Sequence, residues 1–474
     1  MTKTKKGITV DFLGMSSTDV TNSAYLIKFK GYQILLDFGM YQTNNLIEDY
    51  RVNHRKIKGL DPKKIDFVIV SHLNIDHCGC LPYLYKNGCT APIIMPSGSY
   101  DLLRVMLEDS AKIMLSDSEK LNTKYDIKAS PLFLLEDVEP CLQYLHEYDL
   151  DEINILNNFI KFKLLSAGHI VNSAQIYLEF KDGTLTKRIG FTGDIGSNIP
   201  KPYVKPITKM PFVDVLIGEA TYANSKREHS IKDRKKDIEK LKTIVDTVCI
   251  DNKKKVLIPV FALDRLQTML TMLYELYGSD ENFITKIVVD TPMGINICNC
   301  YSEIVIKDKA LWDRVCNWKN IIWCQEYKSS KALQDTNEQM VILASSGMCT
   351  NGRSVAWLKK LLPDALNHVI FCGYSGEETL ASRVKEGKAN KTIIIEKESV
   401  PNNAGTTTLH SYSSHACHQE LLDYYTSVDY NRLYLVHSNS ADKLLFTKEL
   451  QDKLSKDNRT SRVICTNSDT VCNL

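Results

Sequence analysis

Ser71-His72-Leu73-Asn74-Ile75-Asp76-His77 is the stretch on which the reading of this chain turns. Two imidazoles and a carboxylate stand between positions 72 and 77. Such residues suit metal or proton chemistry. The loop follows Ile65–Val70, an apolar run of buried-strand type interrupted only by Asp66. Other apolar runs end in the same way. Gln33–Leu36 runs into Asp37, Ile160–Leu165 leads to Ala167-Gly168-His169, and Arg188–Thr192 to Gly193-Asp194. Val213–Ile217 leads to Gly218-Glu219, and Arg432–Val436 to His437. Layered α/β proteins receive ligands beyond one common strand edge, so these termini are expected to converge. A wet loop explains any single aspartate at a strand end equally well. Histidine is scarcer, at 11 in the chain, and His72, His77, His169 and His437 all stand at such ends.

The 474 residues suffice for more than one core, and 43% hydrophobic with 24% charged residues is a globular balance. A formal charge of +2 announces no polyanion, so a nucleic acid would have to be held by a local patch or by metal ions. The 14 cysteines include no Cys-x-x-Cys, which leaves a zinc ribbon without support. Free thiols and a cytoplasmic location are the expectation. Met1–Gly7 lacks a signal-peptide core, and no apolar run is long enough for a bilayer, so no membrane association is expected.

Around the loop the pattern is mixed. Ile8–Leu13, Ala24–Phe29 and Gln33–Leu36 read as strands, with a turn at Lys30-Gly31. Tyr100–Lys124 has the helical period, and Ile160–Leu165, Gln175–Phe180 and Arg188–Thr192 read as strands again. From about Ser230, helices (Ile231–Asp251, Leu263–Tyr277) alternate with strands (Lys255–Val260, Ile287–Asp290, Val341–Ala344, His368–Cys372), which predicts a parallel sheet flanked by helices. Thr392–Glu396 and Arg432–Val436 close the chain as strands. The basic run from Lys226 to Lys242 is interleaved with Asp233, Asp237 and Glu239 and reads as a solvated helix face.

The segment His72–His77 resembles the His-x-His-x-Asp-His signature of metallo-β-lactamase-fold hydrolases. Val20–Ser23 with Leu36–Gly39 is similar to the N-terminal hairpin of that family. Ser166–Ile170 with Ser173-Ala174 resembles its third motif and Phe191–Asp194 its fourth. Glu219–Tyr222 resembles motif A of the β-CASP branch, His415 motif B, and Val436-His437-Ser438 motif C. Between them, Pro259–Gln267, Asp290–Met293, Ser345–Met348, Gly352-Arg353, Gly373-Tyr374-Ser375, Thr379-Leu380 and Arg383 resemble segments of the inserted β-CASP domain. The likeness runs through nearly the whole chain, toward bacterial and archaeal homologues of the cleavage and polyadenylation endonuclease.

That resemblance implies an α/β fold: an αββα metallo-β-lactamase sandwich with an inserted parallel-sheet β-CASP domain. Residues 1–208 would be the first part of the sandwich, 209–395 the β-CASP domain, and 396–474 the C-terminal return. It implies a Zn2+ site of His72, His169 and Asp194, and a second of Asp76, His77, Asp194 and His437, with Mn2+ as the alternative ion. Asp37 would orient ligands by hydrogen bonds. The implied activity is hydrolysis of RNA, single-stranded at the cut, by a metal-activated hydroxide, leaving 5′-phosphate and 3′-hydroxyl ends. Asp76, Glu219 and His415 are the implied catalytic residues, with His415, paired to Glu219, protonating the leaving 3′ oxygen. Histidine at motif C goes with RNA in this family, where the Artemis-type DNA nucleases carry valine, so a DNA nuclease is the lesser alternative. Ser345, Ser346, Arg353 and Arg383 are candidate phosphate contacts. A homodimer stays open.

The pattern breaks once. Asn74 stands where the family has histidine, and an amide oxygen is a far poorer zinc ligand than imidazole. The first site is therefore expected to be weakened. Two readings follow: an active enzyme with a labile first site, or a non-catalytic RNA-binding subunit. The persistence of every other ligand favours the first.

Overall fold

The structure is a computed structural model that describes residues 7–474 except 44, 126, 225–228, 305–307, 374, 377–378 and 388–390. The N-terminal residues 1–6, the start of the basic run at Lys226, and Tyr374 lie outside the described residues. Strands β1 (Thr9–Phe12), β2 (Tyr25–Phe29), β3 (Tyr32–Leu36), β4 (Phe67–Ile69), β5 (Ile93–Pro96) and β6 (Leu145–Tyr148) come first. They are followed by β7 (Ile153–Asn157), β8 (Ile160–Ser166), β9 (Ala174–Asp182), β10 (Leu185–Phe191) and β11 (Val213–Glu219). A second run holds β12 (Lys255–Pro259), β13 (Lys286–Asp290), β14 (Ile321–Trp323), β15 (Met340–Ala344) and β16 (His368–Cys372). Its last strands are β17 (Lys391–Ile395), β18 (Glu398–Asn402) and β19 (Gly405–Leu409). The chain ends with β20 (Tyr430–Val436), β21 (Arg462–Cys465) and β22 (Val471–Asn473).

These strands form two compact units. Met1–Asn198, Val204–Glu228 and His415–Leu474 make the first, Ile199–Tyr203 and His229–Ser414 the second. The first unit holds two seven-stranded sheets, β22-β1-β2-β3-β4-β5-β6 and β21-β20-β11-β10-β9-β8-β7. Alternation along their strands sends one set of side chains into a shared core. Ile27, Ile34, Leu36 and Ile69 from one sheet meet Phe162, Ile176, Phe180 and Ile189 from the other. Rings tie the layers together, with Phe29 and Phe180 at 5.2 Å and Tyr25 and Phe191 at 5.0 Å between centroids. The other face of the second sheet carries Leu216, Leu433 and Leu435 beneath Leu421 and Tyr425 of helix His418–Ser427 and Phe446 and Leu450 of helix Ser440–Lys456. Leu26, Leu35 and Val68, on the other face of the first sheet, are equally buried, as expected of a sheet covered on both sides.

The second unit is built on a six-stranded, all-parallel sheet in the order β14-β13-β15-β12-β16-β19, with β17 and β18 as a separate antiparallel pair. The expected limits of 209–395 differ from these units at both ends, for a pairing reason. β11 lies in register between β10 and β20, so it belongs to the sandwich. β18 pairs with β17, and β19 joins the parallel sheet beside β16, so the segment through Leu409 belongs to the second unit. The short strands β5, β6 and β7 were not legible in the sequence. Helix Ile231–Val245 ends earlier than the periodicity predicts and gives way to a wider π-type turn at Asp246–Asp251.

The 14 cysteines are thiols, and most are buried. Burial pushes the thiols of Cys80, Cys249 and Cys349 up to about 12 from an ordinary 9.0. A thiol raised in the folded state contributes stability that is full below the unfolded value and lost as pH rises through the folded one. Urea midpoints are therefore expected to hold below about pH 9 and fall steadily toward pH 12. A midpoint that rises across that window would contradict the burial of these thiols.

Candidate metal centre

Sheet topology brings the ligands together. β10, β11 and β20 are neighbours and run parallel, so Asp194, Glu219 and His437 emerge side by side, with Glu219 opposite Val436 in register. β8 is antiparallel to β9, which is antiparallel to β10, so the chain leaves β8 at the same edge and delivers His169 there. In the other sheet β3 and β4 run parallel with Leu36 opposite Ile69, which sets Asp37 beside Ser71 and the His72–His77 loop. The loops then bond backbone to backbone. Phe38 N donates to His77 O (2.8 Å), Met40 N to Ile75 O (2.9 Å) and Ser23 N to Asp76 O (2.8 Å). Gly39 makes this possible, because a Cβ there would sit 1.5 Å from Asp76 O.

Asp194 is the hinge of the arrangement. Its Oδ2 faces His72 Nε2 at 3.4 Å and His169 Nε2 at 3.7 Å. Its Oδ1 faces His77 Nε2 at 3.4 Å and His437 Nδ1 at 3.6 Å. Asp76 Oδ2 lies 3.1 Å from His437 Nε2 and 3.6 Å from His77 Nε2. Two groups follow: His72, His169 and Asp194, and Asp76, His77 and His437, each with its ligand atoms within 4.8 Å of one another. Both oxygens of Asp194 and the Nε2 atoms of His72 and His77 are buried and make no hydrogen bond. Buried polar atoms are ordinarily satisfied, so an orphaned set of ring nitrogens and carboxylate oxygens fits the binding of cations.

Hydrogen bonds fix the rings. His77 Nδ1–H donates to Asp37 Oδ2 at 2.7 Å, which leaves Nε2 for the centre. Asp37 also accepts from Ser71 N (2.7 Å) and Ser71 Oγ (2.8 Å), and that hydroxyl lies 3.0 Å from His72 Nδ1. Thr221 Oγ1 donates to His437 O (3.3 Å) and lies 2.9 Å from His437 Nδ1. Sequence reasoning missed Ser71 and Thr221 as orienting groups; their only signal was adjacency to His72 and Glu219. Asp37 and His437 both carry a left-handed φ, at 54° and 57°, a strained choice for residues other than glycine that clusters at working sites.

The electrostatics follow from this packing. Burial opposes charge on His77, but the carboxylates of Asp194, Asp76 and Asp37 outweigh it and hold the imidazole well above 6.5. His437 is raised against burial in the same way, chiefly by Asp194 and Asp76. His72 is lowered, by burial first and by the neighbouring His77 second. Asp194 lies well below 3.8: burial opposes, and His437, His77 and His72 prevail.

His415 and Glu219 stand beside this centre. His415 Nδ1 lies 3.4 Å from Glu219 Oε1 and its Nε2 3.9 Å from Asp194 Oδ2, and its side chain keeps 19% exposure. Glu219 is pinned by Ile195 N (2.9 Å) and Thr221 N (2.7 Å). Asn74 does face the first group, with its Nδ2 3.4 Å from His169 Nε2. The four candidate phosphate contacts belong to the second unit. Arg353 Nη1 bonds the buried Asp290 at 2.9 Å, Ser345 Oγ donates to Thr291 Oγ1 at 2.8 Å, and Ser346 Oγ accepts from Thr350 N at 3.1 Å. Arg383 is exposed.

Paired His/Asp clusters at the edge of an αββα sandwich define a metallo-β-lactamase-fold hydrolase. Residues 17–239 match the metallo-beta-lactamase superfamily, and residues 266–384 match the Beta-Casp domain. The chain is 30% identical to ribonuclease TTHA0252 of Thermus thermophilus over 91% of its own length and 93% of that protein's. It is also 30% identical to the RNase J-like protein of Methanocaldococcus jannaschii, over 87% and 86%. Its fold is shared with a protein of unknown function from Enterococcus faecalis, at TM-score 0.56 and 12% identity over 99% of this chain and all of that one. The chain belongs to the β-CASP branch of the metallo-β-lactamase superfamily, and that fold implies divalent metal binding.

Two outcomes test the centre. Asp37→Asn should weaken divalent-ion affinity about 10- to 100-fold in a competition titration. Ligation needs neutral imidazole, so loading must displace protons from His77 and His437. Metal affinity should therefore rise with pH above about 6.5, with proton release measurable by calorimetry in buffers of different ionisation heat. In the metal-free protein the raised His77 contributes stability that is full below about 6.5 and lost as pH climbs through its raised value.

Proposed function

We propose that the chain is a metal-dependent ribonuclease that hydrolyses single-stranded RNA to 5′-phosphate and 3′-hydroxyl products. The observation that carries this reading is Asp194, each of whose oxygens faces a different histidine group within 3.7 Å. His72, His169 and Asp194 would hold one ion, and Asp76, His77, Asp194 and His437 the other, with zinc as the metal and manganese as the alternative. When bound, such a pair supplies an activated water nucleophile and neutralises charge on the phosphate. Asp37 and Ser71 keep the nitrogens of His77 and His72 turned inward. Asp76 is held beside His437 and steadies the nucleophile's side of the centre. His415, backed by Glu219 and partly open to solvent, gives a proton to the departing 3′ oxygen, which is a poor leaving group without an acid. His437, in place of an apolar residue, favours RNA over DNA. Ser345, Ser346, Arg353 and Arg383 are our proposed phosphate-side residues on the second unit, with Arg353 already committed in part to Asp290. The names of the two 30% relatives support RNA as substrate. Cysteines kept as buried thiols support a cytoplasmic setting.

One observation favours a second reading, an RNA-binding subunit without turnover. Asn74 puts an amide where an imidazole would complete the first group, 3.4 Å from His169. Three protein ligands remain there, the usual number for a catalytic zinc, and for that reason turnover is preferred.

The readings separate in one set of experiments. Metal analysis of the purified protein should find between about one and two zinc per chain. His415→Ala should cut RNA cleavage by at least about 100-fold and leave metal content intact; loss of metal would refute its role as the acid. Asn74→His should raise occupancy of the first site. No metal, and no cleavage with added zinc or manganese, would establish the scaffold reading instead.

A further inference from the structure

The second unit keeps its large rings inside: Tyr301, Trp312, Trp357 and Phe371 are all buried. Among its described residues two aromatic side chains break the pattern, Phe261 at 42% exposure and Tyr327 at 68%. Both stand just past the carboxyl ends of strands of the parallel sheet, Phe261 after β12 and Tyr327 after β14. That is the edge at which open parallel sheets receive ligands. Isolated exposed apolar residues are ordinary, but two rings at one ligand edge, each held in place, are not scatter.

Each ring has a fixed seat. Phe261 lies against the loop that follows β15, where a Cβ at Gly347 would come to 3.1 Å from its ring, tighter than an ordinary contact, so the ring packs closely on that backbone. Tyr327 carries the guanidinium of Arg353, 5.4 Å from its ring centroid. That cation cannot wander. Its Nη1 donates to Asp290 Oδ1 (2.9 Å) and Glu326 O (3.4 Å), and its Nη2 to Gln325 O (3.3 Å). Asp290 is itself buried and accepts from Trp357 Nε1 at 2.7 Å. The order β14-β13-β15-β12 puts three strand spacings, about 14 Å, between the two strands that the rings follow. The Ser346 loop follows β15, one of the two strands between β14 and β12. An aromatic surface with a fixed cation and intervening hydroxyls is the chemistry by which extended nucleic-acid strands are held without regard to sequence.

We propose that Phe261 and Tyr327 form a stacking track for the unpaired bases of single-stranded RNA along the carboxyl edge of the second unit's sheet. The proposal rests on the ribonuclease reading. It assigns to this edge a binding task distinct from the phosphate contacts, since neither ring carries charge.

The test uses the full chain, metal-loaded and carrying His415→Ala so that bound RNA survives, with a fluorescent single-stranded oligoribonucleotide followed by anisotropy. Phe261→Ala and Tyr327→Ala should each weaken binding about tenfold, and together more. Phe261→Trp and Tyr327→Phe should bind as the parent does, and Phe261→Leu should not. The dependence of affinity on salt should keep its slope, because no charge is removed. Duplex RNA should compete poorly, because its bases are already stacked. Alanine variants that bind like the parent, full rescue by leucine, or equal competition by duplex would each overturn the track, and the last two would point to a protein partner or to backbone recognition. If the unsubstituted protein neither binds nor cleaves RNA, the ribonuclease reading fails and the track fails with it. Cleavage with ring-independent affinity sinks the track alone.

Discussion

The constraint on which the first unit depends is the carboxylate of Asp194, buried with both oxygens bare of hydrogen bonds and faced by four imidazoles within 3.7 Å. An isolated buried carboxylate is expensive, and its cost is met only by opposite charge held at short range. The same carboxylate favours the protonated imidazoles of His77 and His437, both of which are raised against burial. Divalent ions would supply the opposite charge. The cluster is thus arranged around positive charge, and the surrounding loops serve to keep the ring nitrogens pointed at it.

That service has a backbone cost. Asp37 and His437 adopt left-handed φ values, and the His437 N–H is captured by Ser16 O at 2.6 Å, from a loop at the opposite end of the sequence. Strain of this kind persists only where neighbouring contacts over-determine it. Here they do: Asp37 accepts three hydrogen bonds, and His437 is bracketed by Thr221 and Ser16. The hydroxyls of Ser71 and Thr221 work on the metal side chains from behind, which explains why a reading confined to ligand types passes over them.

The second unit shows the complementary lesson. Arg353 reads in sequence as a free cation for phosphate, yet most of its donors are spent on Asp290, Glu326 and Gln325. A buried aspartate with Ser330, Trp357 and Arg353 around it is a satisfied internal network. What the network presents outward is the Tyr327 ring beneath a fixed guanidinium, a feature that no spacing rule encodes.

By itself the sequence determined the class of fold and picked out histidines and carboxylates that gather at its edge. Apolar runs ending in histidine or aspartate are local facts, and the order of those runs matched a known plan through nearly the whole chain. The tertiary structure decided the rest. The parallel pairing of β10, β11 and β20 is what turns three distant strand ends into one site, and the same pairing moved the unit boundary past β11. Short strands such as β5 and β6 exist because neighbours in the sheet complete their hydrogen bonds, so their own composition carries little signal. The orientation of Asn74 toward His169 likewise depends on a contact across 95 positions. Residue type sets what a side chain can ligate; only packing between distant segments sets what it faces.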